Sequence, residues 1–136
     1  MGRITIPREL LNPFIEQIKL SFKNYNRMIE SSGYYLKPVH YVTKISNDER
    51  RIYMYLGRYW WKIIYVGRDV KGRPRIKWIY MGKERPRGLP EPPKNPLEGL
   101  AIYMIASDRE NYYFEREEMA SLLLKKLNEF RNKLTE

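Results

Sequence analysis

The chain has 136 residues and a formal net charge of +10, from 26 Lys and Arg residues and 16 Asp and Glu residues. It contains no Cys, so disulfides and thiolate metal sites are excluded, and no stretch approaches the ~20 apolar residues of a membrane span. The N-terminus also lacks the apolar core of a signal peptide. We therefore expect one cytoplasmic domain over residues 1–136, with no membrane partner.

The positive charge is concentrated in the middle of the chain. Residues 37–87 contain 14 basic and 4 acidic residues, whereas the remaining residues have 12 of each. The same segment contains all three Trp residues. Charge concentrated in one element indicates a polyanionic partner. Heavy use of Lys, Arg, Glu, Ile and Tyr with a single Gln is, in addition, typical of thermophile proteins.

The first predicted element is a helix over residues 13–32. Asn12 is a suitable N-cap, and Pro13 is suited to the first helical position, where its missing N–H has no cost. Gly33 is suited to the position just past the helix end. Apolar residues at helical spacing form one stripe, which consists of Phe14, Ile18, Phe22, Tyr25 and Ile29.

Residues 39–82 are rich in β-branched and aromatic residues separated by turn signals, which predicts a sheet. We predict an antiparallel meander with strands at residues 39–45, 51–56, 59–66 and 75–81. If Gly57 forms a bulge instead of a turn, the second and third segments become one strand. The predicted sheet therefore has three or four strands.

Five prolines over residues 83–96 exclude helix and central strand and predict an extended connector. Two helices are predicted after it, over residues 97–106 and 114–134. The second has an apolar stripe of Met119, Leu123, Leu127, Phe130 and Leu134. The predicted fold class is α+β, in which an antiparallel meander is flanked by an N-terminal helix and two C-terminal helices that cover one face.

Alternation along the strands predicts which side chains lie on the uncovered face. The second strand separates into an apolar set and a basic aromatic set, and Lys62 in the third strand is assigned to the open face. The predicted open face consists of Arg51, Tyr53, Tyr55, Trp60, Lys62, Arg75 and Lys77. The predicted inward face includes Trp61, Ile63, Tyr65, Ile76, Trp78 and Tyr80.

Aromatic rings interleaved with basic side chains are suited to stacking on bases and neutralising phosphates. The loop of the last hairpin adds Arg68, Lys71 and Arg73, and the charge continues at Lys83, Arg85 and Arg87. We interpret these residues, with the open face, as a nucleic-acid-binding site. Alternatively, they are ordinary sheet residues, because Tyr and Trp pack across strands and Lys and Arg keep exposed faces soluble.

The sequence has no apparent catalytic, metal or cofactor site. His40 is the only histidine and no Cys is present, so nucleophilic triads and the common zinc sites lack their residues. Gly67, Gly72 and Gly82 do not have the spacing of a phosphate-binding loop. We expect a protein that is not an enzyme and that needs no cofactor or metal.

Residues 53–61 and 72–86 combine an aromatic strand, a basic turn and an aromatic-aliphatic segment that ends in Gly82-Lys83. This pattern resembles hairpins of small archaeal, plasmid and mobile-element proteins. It is also similar to the three-stranded DNA-binding sheets of tyrosine integrases and to small basic sheet-type chromatin proteins of crenarchaea. The resemblance covers residues 53–86 alone and implies DNA binding with a host, plasmid or viral accessory role. If the protein binds DNA, we expect it to be associated with the nucleoid.

The leading hypothesis is therefore an accessory protein that binds DNA, either a duplex or a displaced single strand, mainly through phosphates. Binding to structured RNA or a ribonucleoprotein is an alternative that relies on the same stacking and charge interactions. A second alternative is a structural or protein-interaction subunit, such as a virion component, whose C-terminal helix pairs with a partner or with a second copy. Binding that weakens steeply with salt would favour nucleic acid, whereas apolar contacts are not screened.

Overall fold

The computed structural model describes residues 3–115 and 117–135 and has an α+β fold with two antiparallel sheets, which confirms the predicted class. Its α-helices are α1 (Arg8–Met28) and α2 (Glu117–Thr135), and a 3₁₀ turn covers Glu30–Ser32. The strands are β1 (Ile4–Pro7), β2 (Tyr34–Leu36), β3 (Val39–Ser46), β4 (Glu49–Leu56), β5 (Trp60–Arg68), β6 (Pro74–Gly82), β7 (Ile102–Ile105) and β8 (Asp108–Phe114). Among the described residues, neither α-helix combines the length and the apolar character that crossing a membrane requires.

The four predicted strands exist as β3 to β6, but the single meander is wrong. The hairpin β3–β4 belongs to a five-stranded sheet of order β1-β8-β7-β4-β3, and the hairpin β5–β6 belongs to a three-stranded sheet of order β2-β5-β6. Strands β4 and β5 diverge at Gly57, which has φ +55° and donates its N–H to the carbonyl of Pro38 at 3.1 Å. The chain thereby leaves the larger sheet, and Trp60 pairs with Leu36 of β2.

Helix α1 begins at Arg8, directly after β1, so the predicted start at Pro13 is wrong. Pro13 lies inside the helix. The Asn12 side chain caps no helix end; its Oδ1 instead accepts a hydrogen bond from the Tyr112 hydroxyl. Leu11 extends the apolar stripe one turn earlier and is fully buried. The stripe predicted for this helix is buried throughout, and Gly33 follows the 3₁₀ turn with φ +80°.

Helix α1 joins the two sheets by packing against both. Its apolar stripe shares one core with Met54 and Leu56 of the five-stranded sheet and with Trp60 of the three-stranded sheet. The Tyr25 ring meets Trp60 edge-on, with ring centroids 6.1 Å apart, and its hydroxyl donates to the Pro90 carbonyl at 2.6 Å. The core therefore includes part of the connector and the end of the smaller sheet that contains Trp60, which we call the base of this sheet.

The helix predicted over residues 97–106 is wrong, because this segment is a turn followed by β7. Asn95 closes the turn: its Oδ1 accepts from the Leu97 N–H at 2.9 Å and its carbonyl from the Glu98 N–H at 3.0 Å. Gly99 follows with φ +86°, which ends the turn before β7 pairs with β4 and β8. The gap between the two predicted helices, residues 107–113, lies mostly in β8, whereas the connector at 83–96 contains neither helix nor strand, as predicted.

Helix α2 begins at Glu117, later than the predicted residue 114, because Phe114 ends β8. Leu123 and Leu127 are buried in the main core, and the Phe130 ring lies 5.0 Å from that of Phe14. Residue 116 and the side chains of Met119 and Leu134 lie outside those that the structure describes. The predicted stripe is thus confirmed for its three described members.

Candidate nucleic-acid interface

A row of three tyrosines crosses the five-stranded sheet on the face opposite α1. Tyr53 pairs with Tyr103, and Tyr103 pairs with Tyr113, so one ring comes from each of β4, β7 and β8. Neighbouring centroids are 5.2 and 5.5 Å apart. Arg51 and Tyr55 alternate with buried Met54 and Leu56, as predicted for this strand, but Tyr53, predicted to be uncovered, is only 9% exposed because it packs against Tyr103 in this row.

Each ring of this tyrosine row is covered by one cation. The Lys44 Nζ lies 4.9 Å from the Tyr53 centroid, and the guanidinium carbons of Arg51 and Arg3 lie 4.7 and 5.2 Å from the centroids of Tyr103 and Tyr113, respectively. Cations placed this way are attracted by the electron-rich ring faces. They also exclude solvent, since Tyr103 is fully buried on a face that no helix covers in the described chain.

Two carboxylates hold these arginines in place. Glu49 accepts from Arg3 at 2.5 Å and from the Arg51 Nε at 2.7 Å, while Glu115 accepts from Arg51 at 2.8 Å and from the Tyr53 hydroxyl at 2.9 Å. Arg51 and Tyr53 are therefore engaged within the protein, and the predicted ligand-binding role has little support from their surroundings. Sequence patterns did not reveal this network, because Tyr103 lies in a segment predicted to be helical.

The Glu49 network predicts a loss of stability in acid. Hydrogen bonds from Arg3, with a smaller contribution from Arg51, lower the pKa of Glu49 from about 4.5 to about 2. A carboxylate whose pKa is lowered by folding stabilises the folded state above its unfolded pKa, and this contribution disappears as pH falls from about 4.5 to about 2. In urea denaturation, Glu49→Gln should lower the midpoint at pH 7 but have progressively less effect below pH ~4.5.

Glu84→Gln is the control for this experiment, because Glu84 is exposed and forms no ion pair within the described residues. Its midpoint should follow that of the wild type at every pH. A Glu49→Gln deficit that is the same at pH 3 and pH 7 would contradict the assigned role of the Glu49 charge.

The predicted exposure of Trp60 is wrong. Trp60 lies on the same face of the three-stranded sheet as Lys62, as alternation predicted, but it is only 2% exposed. The reason is that α1 reaches the base of this sheet on that face and encloses Trp60 with Leu36 and Tyr25. Lys62 lies further along the strand, with its Nζ 5.6 Å from the Tyr34 ring centroid.

The opposite face of this sheet, predicted to lie inward, is exposed instead. Trp78, Tyr80 and Tyr65 are 46%, 53% and 57% exposed, respectively, and Ile76 is similarly open. Neither helix of the described chain covers them, since α1 contacts only the base of this sheet and α2 packs on α1. We call this surface the aromatic face; it consists of Tyr35, Trp61, Ile63, Tyr65, Ile76, Trp78 and Tyr80.

The β5–β6 hairpin, which we call the arm, has its basic residues on the other face and at its tip. Lys62, Arg75 and Lys77 alternate with the aromatic face. At the tip, Asp69 accepts from the backbone N–H groups of Lys71 and Arg73, both at 2.9 Å, and these hydrogen bonds lower its pKa. The tip is therefore an ordered turn that presents exposed basic side chains, rather than an unstructured loop.

Two of the predicted arginines form hydrogen bonds within the tip itself. Arg73 donates its Nε to Asp69 at 3.0 Å, and Arg68 donates to the Gly72 carbonyl at 2.7 Å. Both side chains remain exposed, as does Lys71. The structure thus brings Arg68, Lys71, Arg73, Arg75 and Lys77 together on the arm.

The remaining predicted cations lie past the base of the arm. Lys83, Arg85 and Arg87 are exposed, and Arg85 is close enough to Tyr25 to oppose the burial that raises the pKa of that phenol. Lys83 borders a groove of about 820 Å³ beneath the connector, which Arg58 and Glu91 also line. Acidic and basic groups are mixed there, so the arm remains the more uniform cationic surface.

Tyr55 links the two sheets. Its ring lies 6.0 Å from that of Tyr59, and Tyr59 lies 6.0 Å from Tyr80 on the aromatic face. The Arg58 guanidinium carbon lies 4.7 Å from the Tyr55 centroid and 5.6 Å from the Tyr59 centroid. A cation therefore borders the aromatic face at the end opposite the tip.

Comparison with known proteins identifies no relative: no protein-family model, no curated protein and no solved structure matches the chain.

Proposed function

We propose that the protein binds nucleic acid through the arm. The observation that carries this proposal is a projecting hairpin with six basic residues and one acidic residue between Lys62 and Lys77, beside exposed aromatic rings. Lys71, Arg75 and Lys77 take part in no ion pair with any residue that the structure describes. Their charges are therefore available to phosphates.

Charge favours a polyanion over a second copy as the occupant of the arm. Each copy has a net charge of +10, so pairing two arms would bring like charges together, whereas a phosphate backbone neutralises them. The resemblance of residues 53–86 to DNA-binding hairpins supports DNA as the ligand. RNA remains the alternative, because the same cations and rings suit both.

A protein partner on α2 is a second candidate, favoured by Leu122 and Leu124, which are exposed on this helix. Contacts of this kind would persist at high salt, because apolar burial is not screened. Co-purification of a partner that resists high salt and is lost in Leu122→Ala/Leu124→Ala would support this candidate.

Fluorescence anisotropy with labelled duplex DNA, single-stranded DNA and RNA, each over a salt series, tests the proposed function. We expect Arg75→Ala/Lys77→Ala to weaken binding roughly 30-fold, since each charged group that is removed should reduce the binding free energy by about 1 kcal/mol. The slope of log affinity against log salt should decrease in magnitude by about 1.8 on duplex DNA, at about 0.9 per phosphate contact.

The control is Lys23→Ala/Lys125→Ala, which removes the same charge from exposed sites on α1 and α2. It should retain nearly the affinity of the wild type. Equal weakening by both double variants would indicate attraction by net charge alone, and no binding at low salt would overturn the proposal.

A further inference from the structure

The rings of the aromatic face are spaced too widely for stacked bases. Trp78 and Tyr80 lie on one side of β6, two residues apart, so their spacing along the strand is about 6.7 Å. Successive bases in one strand of a duplex are only about 3.4 Å apart. A nucleic acid could therefore place one base on each successive platform only if its bases were unstacked.

The rings are also held in place from the neighbouring strands. Tyr35 of β2 meets Trp78 at 5.3 Å with an interplanar angle of 81°, and Trp61 of β5 lies 5.3 Å from Tyr80. Despite these contacts, about half of each β6 ring remains exposed. Preorganised, partly exposed rings lose little conformational freedom when a flat ligand stacks on them.

Cations border the aromatic face at both ends. The tip carries Arg68, Lys71 and Arg73, and Arg58 lies at the far end beside Tyr59, which contacts Tyr80. A strand that runs along the face would meet positive charge where it enters and where it leaves. A hydrophobic peptide would gain nothing from these charges, and a second copy of the chain would be repelled by them.

We infer that the aromatic face binds an unpaired stretch of nucleic acid, whose bases stack on Trp78, Tyr80 and Tyr65 while its phosphates contact the cations at the two ends and, around the edge of the outer strand β6, Arg75 and Lys77. This inference rests on the proposed function and specifies its ligand as single-stranded. A duplex presents its bases edge-on in the grooves and stacks their faces on one another, so it could contact the arm only through phosphates and groove edges.

The test compares oligonucleotides of about 15 nucleotides, a length within the range bound by single-strand-binding modules. The probes are single-stranded DNA, single-stranded RNA, the matched duplex, and an abasic DNA strand that has the same phosphates without bases. We expect the single strands to bind more tightly than the duplex and the abasic strand. The comparison of single-stranded DNA with single-stranded RNA identifies which of the two is the natural ligand. Trp78→Ala should weaken single-strand binding roughly 5- to 150-fold and leave abasic-strand binding unchanged.

Tyr41→Ala is the matched control, because Tyr41 is an exposed aromatic residue of β3 outside the aromatic face. It should bind like the wild type. Intrinsic fluorescence gives a second readout: base stacking should quench Trp78 strongly and half-buried Trp61 on the same face more weakly, whereas buried Trp60 should keep its emission. Trp78→Phe should lose most of this quenching but retain more affinity than Trp78→Ala.

The possible outcomes separate this inference from the proposed function. Equal binding of duplex, single strand and abasic strand, still dependent on Arg75 and Lys77, would overturn the stacking inference and leave nucleic-acid binding intact. No binding of any probe at low salt would overturn both. A dimer, detected by light scattering, that Trp78→Ala dissociates and single strands do not affect would assign the aromatic face to a second copy instead.

Discussion

Replacing Trp60 with Ala is expected to lower the free energy of unfolding by about 3 to 5 kcal/mol, the usual cost of removing a large aromatic side chain from a core. Trp60 is almost fully buried and packs with Tyr25 of α1 and Leu36 of β2. Small domains have total stabilities of about 5 to 15 kcal/mol, so this loss is severe. Urea denaturation measures it directly.

Trp78→Ala provides the comparison, because Trp78 is about half exposed and its main ring contact is with Tyr35. It should cost about 1 to 2 kcal/mol, from this aromatic pair and from the half of the side chain that is buried. The two tryptophans should therefore have opposite phenotypes: Trp60→Ala should affect folding and Trp78→Ala should affect binding. A stability loss for Trp60→Ala no larger than that for Trp78→Ala would contradict the core assignment.

Gly57→Ala is expected to destabilise the protein by about 2 to 5 kcal/mol. Part of the cost, about 1 to 2 kcal/mol, arises because Gly57 has φ +55°, where a Cβ is strained. The rest, about 1 to 3 kcal/mol, is overpacking, because the added Cβ would lie 2.1 Å from the Phe22 ring in the main core. Thermal or urea denaturation of the variant measures the combined cost.

Gly88→Ala separates these two contributions. Gly88 has φ +84°, and a Cβ there would meet no atom of the described residues within 4 Å. It should show the backbone strain without the overpacking, at about 1 to 2 kcal/mol. Equal losses for the two variants would show that the approach of Gly57 to Phe22 is unimportant for the divergence of β4 and β5.

Local patterns in the sequence predicted most of the elements but not how the strands pair. Strands β3 to β6 were predicted within a few residues, because alternation and turn residues are local properties. Their division into two sheets depends on whether β5 pairs with β4 or with β2, which is a choice between tertiary contacts. The short apolar run at β7 fits both helix and strand periods, and its pairing with β4 and β8 decides in favour of strand.

The sequence pattern predicted that the side chains of the candidate site form two alternating sets. It did not predict which of the two sets a helix covers. Trp60 and Lys62 share a face, as do Trp78 and Tyr80, in agreement with the sequence pattern. Coverage, however, depends on where α1 crosses the sheet, and a helix that reaches only the base buries Trp60 while leaving Trp78 open. The strand pattern alone contains no information about that crossing point.

The position of α1 at the base of the arm also means that resistance to local opening is unequal along the hairpin. Near the base, opening β5 would expose Trp60 and disrupt the core, so it requires nearly the energy of global unfolding. Towards the tip, side chains such as Tyr65 and Ile76 are already largely exposed, and little buried surface opposes separation of the strands. The outer half of the arm can therefore fray and close again while the rest of the molecule remains folded.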